Sequence, residues 1–556
     1  MYDLARVRPL LLGYNHRMTS PDTPNIPPNR WLQVLFWLIL TATALGRFFE
    51  GWNEDELMHL HAAWLIGQGL VPYRDYFDHY MPLFHVLFAG PATWFGTHYV
   101  ALYIFARVVA FVVAAAAILL MCRSANWAHP DGPYLAGLVL LSARYADFLF
   151  LLRPDFVALL LLSVAVVLLS KPTSVLTSAG AGLAFGLASL CTQKTFAFVP
   201  AFVLWQVLRL WHCGAGSRAQ EVSRAAGLLI GMVLPPLVLW AALARLHALS
   251  QFMAGQIIGL HWKPPGGRFY QLQAHLQEPL LAGLLPFGFG VAWAFRALVA
   301  GVRGTPETYR GDLLLGLMGL FGIAAFVRIP APTQHALVFT TLFWIMACAA
   351  RHIAYAAATG RGRSLIASGA ASVVALAALR PYNVAVAVVL WSFLGWLAWR
   401  AMHASFDVSA RHRRLLAALC SLGLLVWFGN FIERAVRMRV VPQVRAMAQI
   451  DAAIPRGGRV LTTWPVLTPA RPHACYHWFS DVGMYLSLPR GTLEAEQIAA
   501  SRSPKTAVLV CEPTSVRHYA PALWQVVRER WRDIGLPPGA LKRARAYVRR
   551  WAMAAR

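Results

Sequence analysis

Two short stretches early in the chain hold most of the side chains that could do chemistry. The first is Trp52-Asn53-Glu54-Asp55-Glu56-Leu57, and the second runs Gly69-Leu70-Val71-Pro72-Tyr73-Arg74-Asp75-Tyr76-Phe77-Asp78-His79-Tyr80-Met81-Pro82-Leu83. Three consecutive carboxylates beside an apolar run cannot all ionise cheaply unless they are solvated, paired or metal-bound. A solvated acidic rim is the plain meaning of such a run. Against it stands the company it keeps: basic, histidine and aromatic residues between two apolar segments. Further along, Arg153-Pro154-Asp155 and Gln193-Lys194-Thr195 sit at the ends of apolar runs, and Lys263 and Arg268 flank a Pro-Pro-Gly-Gly turn. Fixed cations at a membrane surface suit an anionic lipid phosphate, to which arginine offers a two-pronged fork. Snorkelling to the interface explains single basic residues equally well.

The elements that must position these residues are dictated by composition. Of 556 residues, 58% are hydrophobic and 13% charged, against about 25% charged in soluble domains. The chain carries 50 Lys and Arg against 24 Asp and Glu, a net charge of +26. In nucleic-acid-binding proteins such an excess clusters on polar surfaces. Here it punctuates apolar stretches, so the partners are membrane lipids and no nucleic acid. A spanning helix needs ~20 mostly apolar residues. Compatible runs lie near 31–49, 99–121, 134–152, 156–170, 174–191, 195–212, 225–244, 279–300, 312–328, 336–350, 364–380, 384–400 and 414–432. The expected fold is thus mainly α: a polytopic membrane protein of about thirteen transmembrane helices, with a small C-terminal extracytoplasmic α/β domain.

Cytoplasmic loops carry the excess of Lys and Arg, and placing the N-terminus inside gives the inner loops the clear majority. Residues 1–30 then form a cytoplasmic segment, 31–432 the membrane domain with long outer loops 50–98 and 245–278, and 433–556 an outer tail. In that tail Arg459–Thr463 and Thr506–Cys511 read as strands, and Pro521–Ile534 and Ala540–Arg550 as helices. Cys475 and Cys511 would be free to pair on that side of the membrane. His473, Cys475 and His477 lack a fourth ligand at metal-site spacing.

An acidic pair after the first span, then Gly-x-x-Pro-Tyr and Phe-Asp-His-x-x-Pro-Leu, resembles the GT-C glycosyltransferases, among them the protein O-mannosyltransferases and the lipid A aminoarabinose transferases. The topology is similar over most of the chain, while the motifs are confined to roughly its first 200 residues. The resemblance implies an inner-membrane enzyme that moves a hexose or pentose from a polyprenyl-phosphate donor to a lipid, glycan or protein acceptor on the outer face. By resemblance Asp55 is the catalytic carboxylate and Glu56 its neighbour. Members with and without a divalent cation exist, and Asp55 and Glu56 would be its ligands. The residues expected at the donor phosphate are Arg74, His79, Arg153, Lys194, Lys263 and Arg268. The sequence departs from the aminoarabinose type at Asp78-His79, where those relatives carry Glu-Lys, and at Met81, where they carry Pro. A transporter or flippase of lipid-linked sugars is the alternative, but no repeated halves are visible. An O-antigen ligase or polymerase is the other, with less need for an acidic pair.

Overall fold

The computed structural model describes residues 30–261 apart from 124–131, 143–148 and 171–173, then 280–302, 310–328 and most of 341–351, and most of 439–549 apart from short breaks within 463–490 and 537–544. Helix α1 (Arg30–Glu50) is followed by α2 (Glu54–Gly67), α3 (Leu83–Phe95), α4 (Tyr99–Arg123), α5 (Gly132–Ser142), α6 (Pro154–Ser170), α7 (Val175–Cys191), α8 (Val199–His212), α9 (Arg218–Arg245), α10 (Leu249–His261), α11 (Leu280–Val302) and α12 (Arg310–Arg328). Among the described residues three helical stretches are long and apolar enough to cross a membrane: Gln33–Glu50, Tyr99–Cys122 and Ala215–Arg245. Shorter apolar helices include Pro154–Ser170 and Val175–Cys191. The runs expected at 364–380, 384–400 and 414–432 lie outside the described residues.

The bundle is packed by small residues. A Cβ on Gly182 of α7 would sit 2.1 Å from the Leu228 carbonyl of α9, and one on Gly231 would sit 2.2 Å from the Ala179 carbonyl. Only glycine lets the two backbones approach so closely, the usual device where lipid supplies no hydrophobic drive between helices. Around them Phe185, Phe198, Phe202 and Trp205 fill the buried core. The outward face of α9 leaves Leu229, Ile230, Leu237, Val238 and Trp240 exposed, as a lipid-facing surface requires.

The acidic run owes its local structure to helix initiation. Asn53 is the N-cap of α2, its side-chain oxygen accepting the Asp55 N–H at 3.0 Å, while Glu56 Oε2 accepts the Asn53 N–H at 2.9 Å. Glu54, Asp55 and Glu56 thus occupy the first turn, where the positive end of the helix dipole favours carboxylates. Helices α2 and α3 pack through Leu60, Phe84, Phe88 and Ala92 and form most of the loop expected at 50–98.

The tail is an α/β unit. Helix α13 (Val440–Ala452) leads into β1 (Arg459–Thr462), then α14 (Thr492–Arg502), β2 (Thr506–Cys511), α15 (Pro513–Tyr519), α16 (Pro521–Arg530), β3 (Trp531–Asp533) and β4 (Arg545–Arg549). The sheet order is β1-β2-β4-β3, parallel between β1 and β2 and antiparallel elsewhere. Two expectations need correction. The helix expected over Pro521–Ile534 ends at Arg530, and Trp531–Asp533 forms β3. The segment Ala540–Arg550, expected to be helical, contains β4. Its residues alternate: Ala546 and Val548 join one buried cluster and Tyr547 the other, the period of a two-sided strand. Arginine and alanine favour a helix in isolation, but pairing with both β2 and β3 decides the outcome. Cys475 and Cys511 are both free thiols.

The tail is clamped onto the first loop. Gln443 of α13 accepts the Trp52 N–H at 2.6 Å and donates to the Trp52 carbonyl at 3.1 Å. Trp478 donates its indole N–H to the Phe77 carbonyl at 2.7 Å, and the Phe77 N–H donates to the Tyr476 carbonyl at 2.9 Å. His61 packs on His473 and Trp478 in the same interface.

Candidate active site

Asp55 stands at the head of a line of alternating charges. Its Oδ2 lies 2.5 Å from Arg153 Nη1, Arg153 Nη2 lies 3.3 Å from Asp155 Oδ2, and Asp155 Oδ1 lies 3.1 Å from Lys194 Nζ. Thr192 donates its hydroxyl to the same Asp155 oxygen at 3.4 Å. Three elements deliver these groups. Asp55 comes from the first turn of α2, Arg153 and Asp155 flank the Pro154 that begins α6, and Lys194 lies in the 3-10 turn Gln193–Phe198 ahead of α8. Alternation lets buried ions share one site, because each charge has an opposite neighbour within bonding distance. Asp55 is also the one that reaches outward: its side chain is 31% exposed, against 7% for Arg153, 2% for Asp155 and 9% for Lys194. Burial pulls the Lys194 amine below its ordinary value and Arg153 adds to that, while Asp155 opposes both.

Glu56 is placed differently. Its carboxylate accepts from Arg107 Nη1 and Nη2 at 2.5 and 2.8 Å, from the Leu152 N–H at 2.7 Å and from the Asn53 N–H at 2.9 Å. Those bonds occupy all four lone-pair directions of a fully buried side chain. Glu56 therefore ties the start of α2 to α4 and to the residue before Arg153. A divalent cation does not fit this donor set, since Glu56 is saturated and Arg153 sits on Asp55. Among the described residues no His, Cys, Asp and Glu cluster is arranged for a metal ion.

Of the remaining expected residues, His79 lies close enough to feel the charges of Lys194 and Asp55, and Arg74 is engaged elsewhere. His79 is buried beside Phe77 and Tyr80, and its backbone carbonyl accepts from the Gln193 amide at 3.0 Å and the Gln256 amide at 3.2 Å. Burial lowers the His79 ring to about 4, with Asp78 opposing, so the ring is neutral near pH 7. Arg74 bonds Asp75 and the Leu246 carbonyl rather than any member of the Asp55 line. Lys263 and Arg268 lie outside the described residues.

Three residues not singled out in the sequence take prominent places. Arg107 lies in the middle of an apolar run, and a lone arginine there signals a buried partner. Tyr80 feels the charges of Asp55, Arg153 and Asp155, and burial holds its phenol well above its ordinary value. His59 stands four residues after Asp55, hence on the same face of α2, and is fully buried.

No known family model matches the chain, and no curated protein does. Among solved structures, the chain is similar to the ArnT of Cupriavidus metallidurans in its apo state, with a TM-score of 0.56 and 15% identity over 93% of this chain and 97% of that one. Against the same protein bound to undecaprenyl phosphate the TM-score is 0.55, at 13% identity and the same coverage. Such identity speaks for the fold alone, and the agreement spans the membrane bundle and the tail together. The chain is thus a mainly helical protein with the fold of ArnT.

Proposed function

We propose that this chain is an inverting glycosyltransferase that moves a sugar from a polyprenyl-phosphate donor to a hydroxyl or amine of a lipid, glycan or protein acceptor on the outer face of the bacterial inner membrane. The observation that carries the reading is Asp55, a partly exposed carboxylate at the end of a buried line of alternating charges that holds Arg153 and Lys194. The ArnT structure with undecaprenyl phosphate supports the donor class.

In this reading Asp55 takes the proton from the acceptor as its oxygen or nitrogen attacks the anomeric carbon. The bond from that carbon to the phosphate oxygen breaks, and polyprenyl phosphate leaves with the electron pair. Its charge is already stable, so it needs hydrogen-bonding cations more than a strong acid. Arg153 and Lys194 are the cations nearest Asp55. Each is bound to Asp155, which fixes its position in advance of the reaction and lowers the reorganisation needed. Glu56 acts through position: it holds the turn bearing Asp55 against the segment bearing Arg153. Lys263 and Arg268 join the donor-phosphate proposal on sequence grounds.

The test is direct. Purified protein is incubated with undecaprenyl-phosphate-linked mannose and 4-amino-4-deoxyarabinose plus a membrane-lipid extract, and released undecaprenyl phosphate is measured. Release that depends on the protein and an acceptor supports the reading. Movement of intact donor across a vesicle bilayer without release would support a flippase instead.

A further inference from the structure

Within the stretch of α4 long and apolar enough to cross a membrane, Tyr99–Cys122, Arg107 is the single charged residue. A buried cation there is costly, and a buried carboxylate partner offsets the cost only in part. Arg107 and Glu56 have side chains 1% and 0% exposed. Arg107 Nε is buried with no hydrogen-bond partner, which adds to the cost. Apolar side chains of similar volume often serve stability as well as such a pair or better. What the ion pair adds is direction.

The bonds of the pair end beside the residues of the site. Arg107 Nη1 donates to Glu56 Oε1 at 2.5 Å, while Nη2 donates to Glu56 Oε2 and to the Gly51 carbonyl, both at 2.8 Å. One planar fork thus grips both ends of the segment Gly51–Glu56, which carries Asp55. Glu56 Oε1 also accepts the N–H of Leu152, the residue before Arg153, at 2.7 Å. Tyr103, one turn earlier on α4, lies beneath the guanidinium with 4.7 Å to its ring centroid. Its hydroxyl accepts the Gly51 N–H at 3.1 Å and donates to the Arg47 carbonyl at 2.8 Å. Both backbone groups of Gly51 are therefore held from α4, at a residue whose φ of +85° turns the chain into α2. A lysine at 107 would keep the charge but lack the two-pronged geometry.

Resting on the glycosyl-transfer reading, the geometry points to Arg107 as a positioning residue for transfer, whose fork fixes where Asp55 stands relative to Arg153. It acts through Glu56 and the Gly51 carbonyl and touches neither donor nor acceptor. Its loss is felt in turnover, because the Asp55 carboxylate is no longer aimed. Donor affinity is left almost unchanged, since Arg153 and Lys194 are held separately by Asp155.

The experiment has a kinetic arm and an arm that needs no substrate. The parent is compared with Arg107→Lys and with Leu169→Ala, which opens a cavity in the buried core at the end of α6 away from Arg153. With whichever of the two undecaprenyl-phosphate sugars the parent consumes, kcat and donor KM are measured, together with the thermal midpoint. A misplacement of about 1 Å can cost a hundredfold in rate, so kcat of Arg107→Lys is expected to fall roughly ten- to a hundredfold, with the donor KM near parental. Leu169→Ala should lower the midpoint at least as far as Arg107→Lys does and keep the parental kcat. Parental turnover in Arg107→Lys overturns the proposal. So does a loss in Leu169→Ala that matches it, because turnover would then follow stability alone. In the second arm, amide hydrogen exchange of Arg107→Lys should quicken over residues 51–57 and 149–153 and stay parental over Val175–Cys191. Parental exchange over both segments overturns the proposal even if transfer is confirmed. A parent that releases no undecaprenyl phosphate removes the glycosyl-transfer reading, and exchange alone then upholds or overturns the hold of Arg107 on the segment bearing Asp55.

Discussion

Glu56 and Lys194 are both buried ions, yet they are expected to respond differently to substitution. Removing the Glu56 charge leaves Arg107 buried without its counter-ion, and breaking such a pair costs roughly 3–5 kcal/mol. Glu56→Gln should therefore lower the thermal midpoint of the detergent-solubilised protein, and what activity survives should show a near-parental donor KM. A parental midpoint with a raised donor KM would move Glu56 into the donor site. Lys194→Ala leaves Asp155 still paired with Arg153, so its main effect is expected on the donor. Loss of a charge-assisted bond to phosphate is worth about 1.5–3 kcal/mol, so the donor KM should rise roughly ten- to a hundredfold. An unchanged donor KM would leave Lys194 as nothing more than the partner of Asp155. The positions of Asp55, Arg153 and Lys194 stood out because a run of carboxylates and of basic residues at the ends of apolar segments is conspicuous in an apolar chain. Those of Arg107 and His59 did not. Each looks ordinary until folding brings Glu56 against the first and His85 against the second, contacts separated by 51 and 26 residues.

At the level of elements, the interface between α2 and the tail governs how firmly Asp55 is held. Gln443 satisfies both backbone groups of Trp52, the residue just before the Asn53 cap. His61 and His473 meet in the same interface, both buried and held neutral: burial lowers His61 to about 3 and takes His473 well below its ordinary value. In the unfolded chain both take up protons near pH 6.5. Between that value and about 3 the unfolded state therefore binds more protons, and stability falls as pH falls. Each histidine contributes up to about 1.4 kcal/mol per pH unit in that window. The thermal midpoint should drop between pH 7.5 and pH 5, and less steeply in His61→Phe. Equal slopes would mean that His61 is protonated in the folded protein. Helices follow from sequence alone where apolar runs are long, as at Tyr99–Arg123 and Val175–Cys191. Strand β4 did not, because its five residues become a strand only through pairing with β2 and β3.

For the whole molecule, the charge asymmetry of the loops predicts a cytoplasmic N-terminus, and the tail's contacts with Trp52 and Phe77 place the tail on the same side as Asp55. Alkaline phosphatase fused after residue 556 should be active and one fused within 400–413 inactive. The opposite pattern would put Asp55 in the cytoplasm. The global fold was legible from composition and a few motifs, since hydropathy fixes what lipid must cover. The alternating line from Asp55 to Lys194 was not, because no local pattern says which charges on α2, α6 and the turn before α8 will meet. That line is the core of the functional account, and one substitution tests it most directly. Asp55→Asn keeps the size of the side chain and removes its ability to take a proton, and a positioned general base contributes about 10²–10⁴-fold in rate. Release of undecaprenyl phosphate by the variant, measured against the parent at saturating donor, is expected to fall within that range while the thermal midpoint and donor KM stay close to parental. Full turnover by Asp55→Asn would contradict the account.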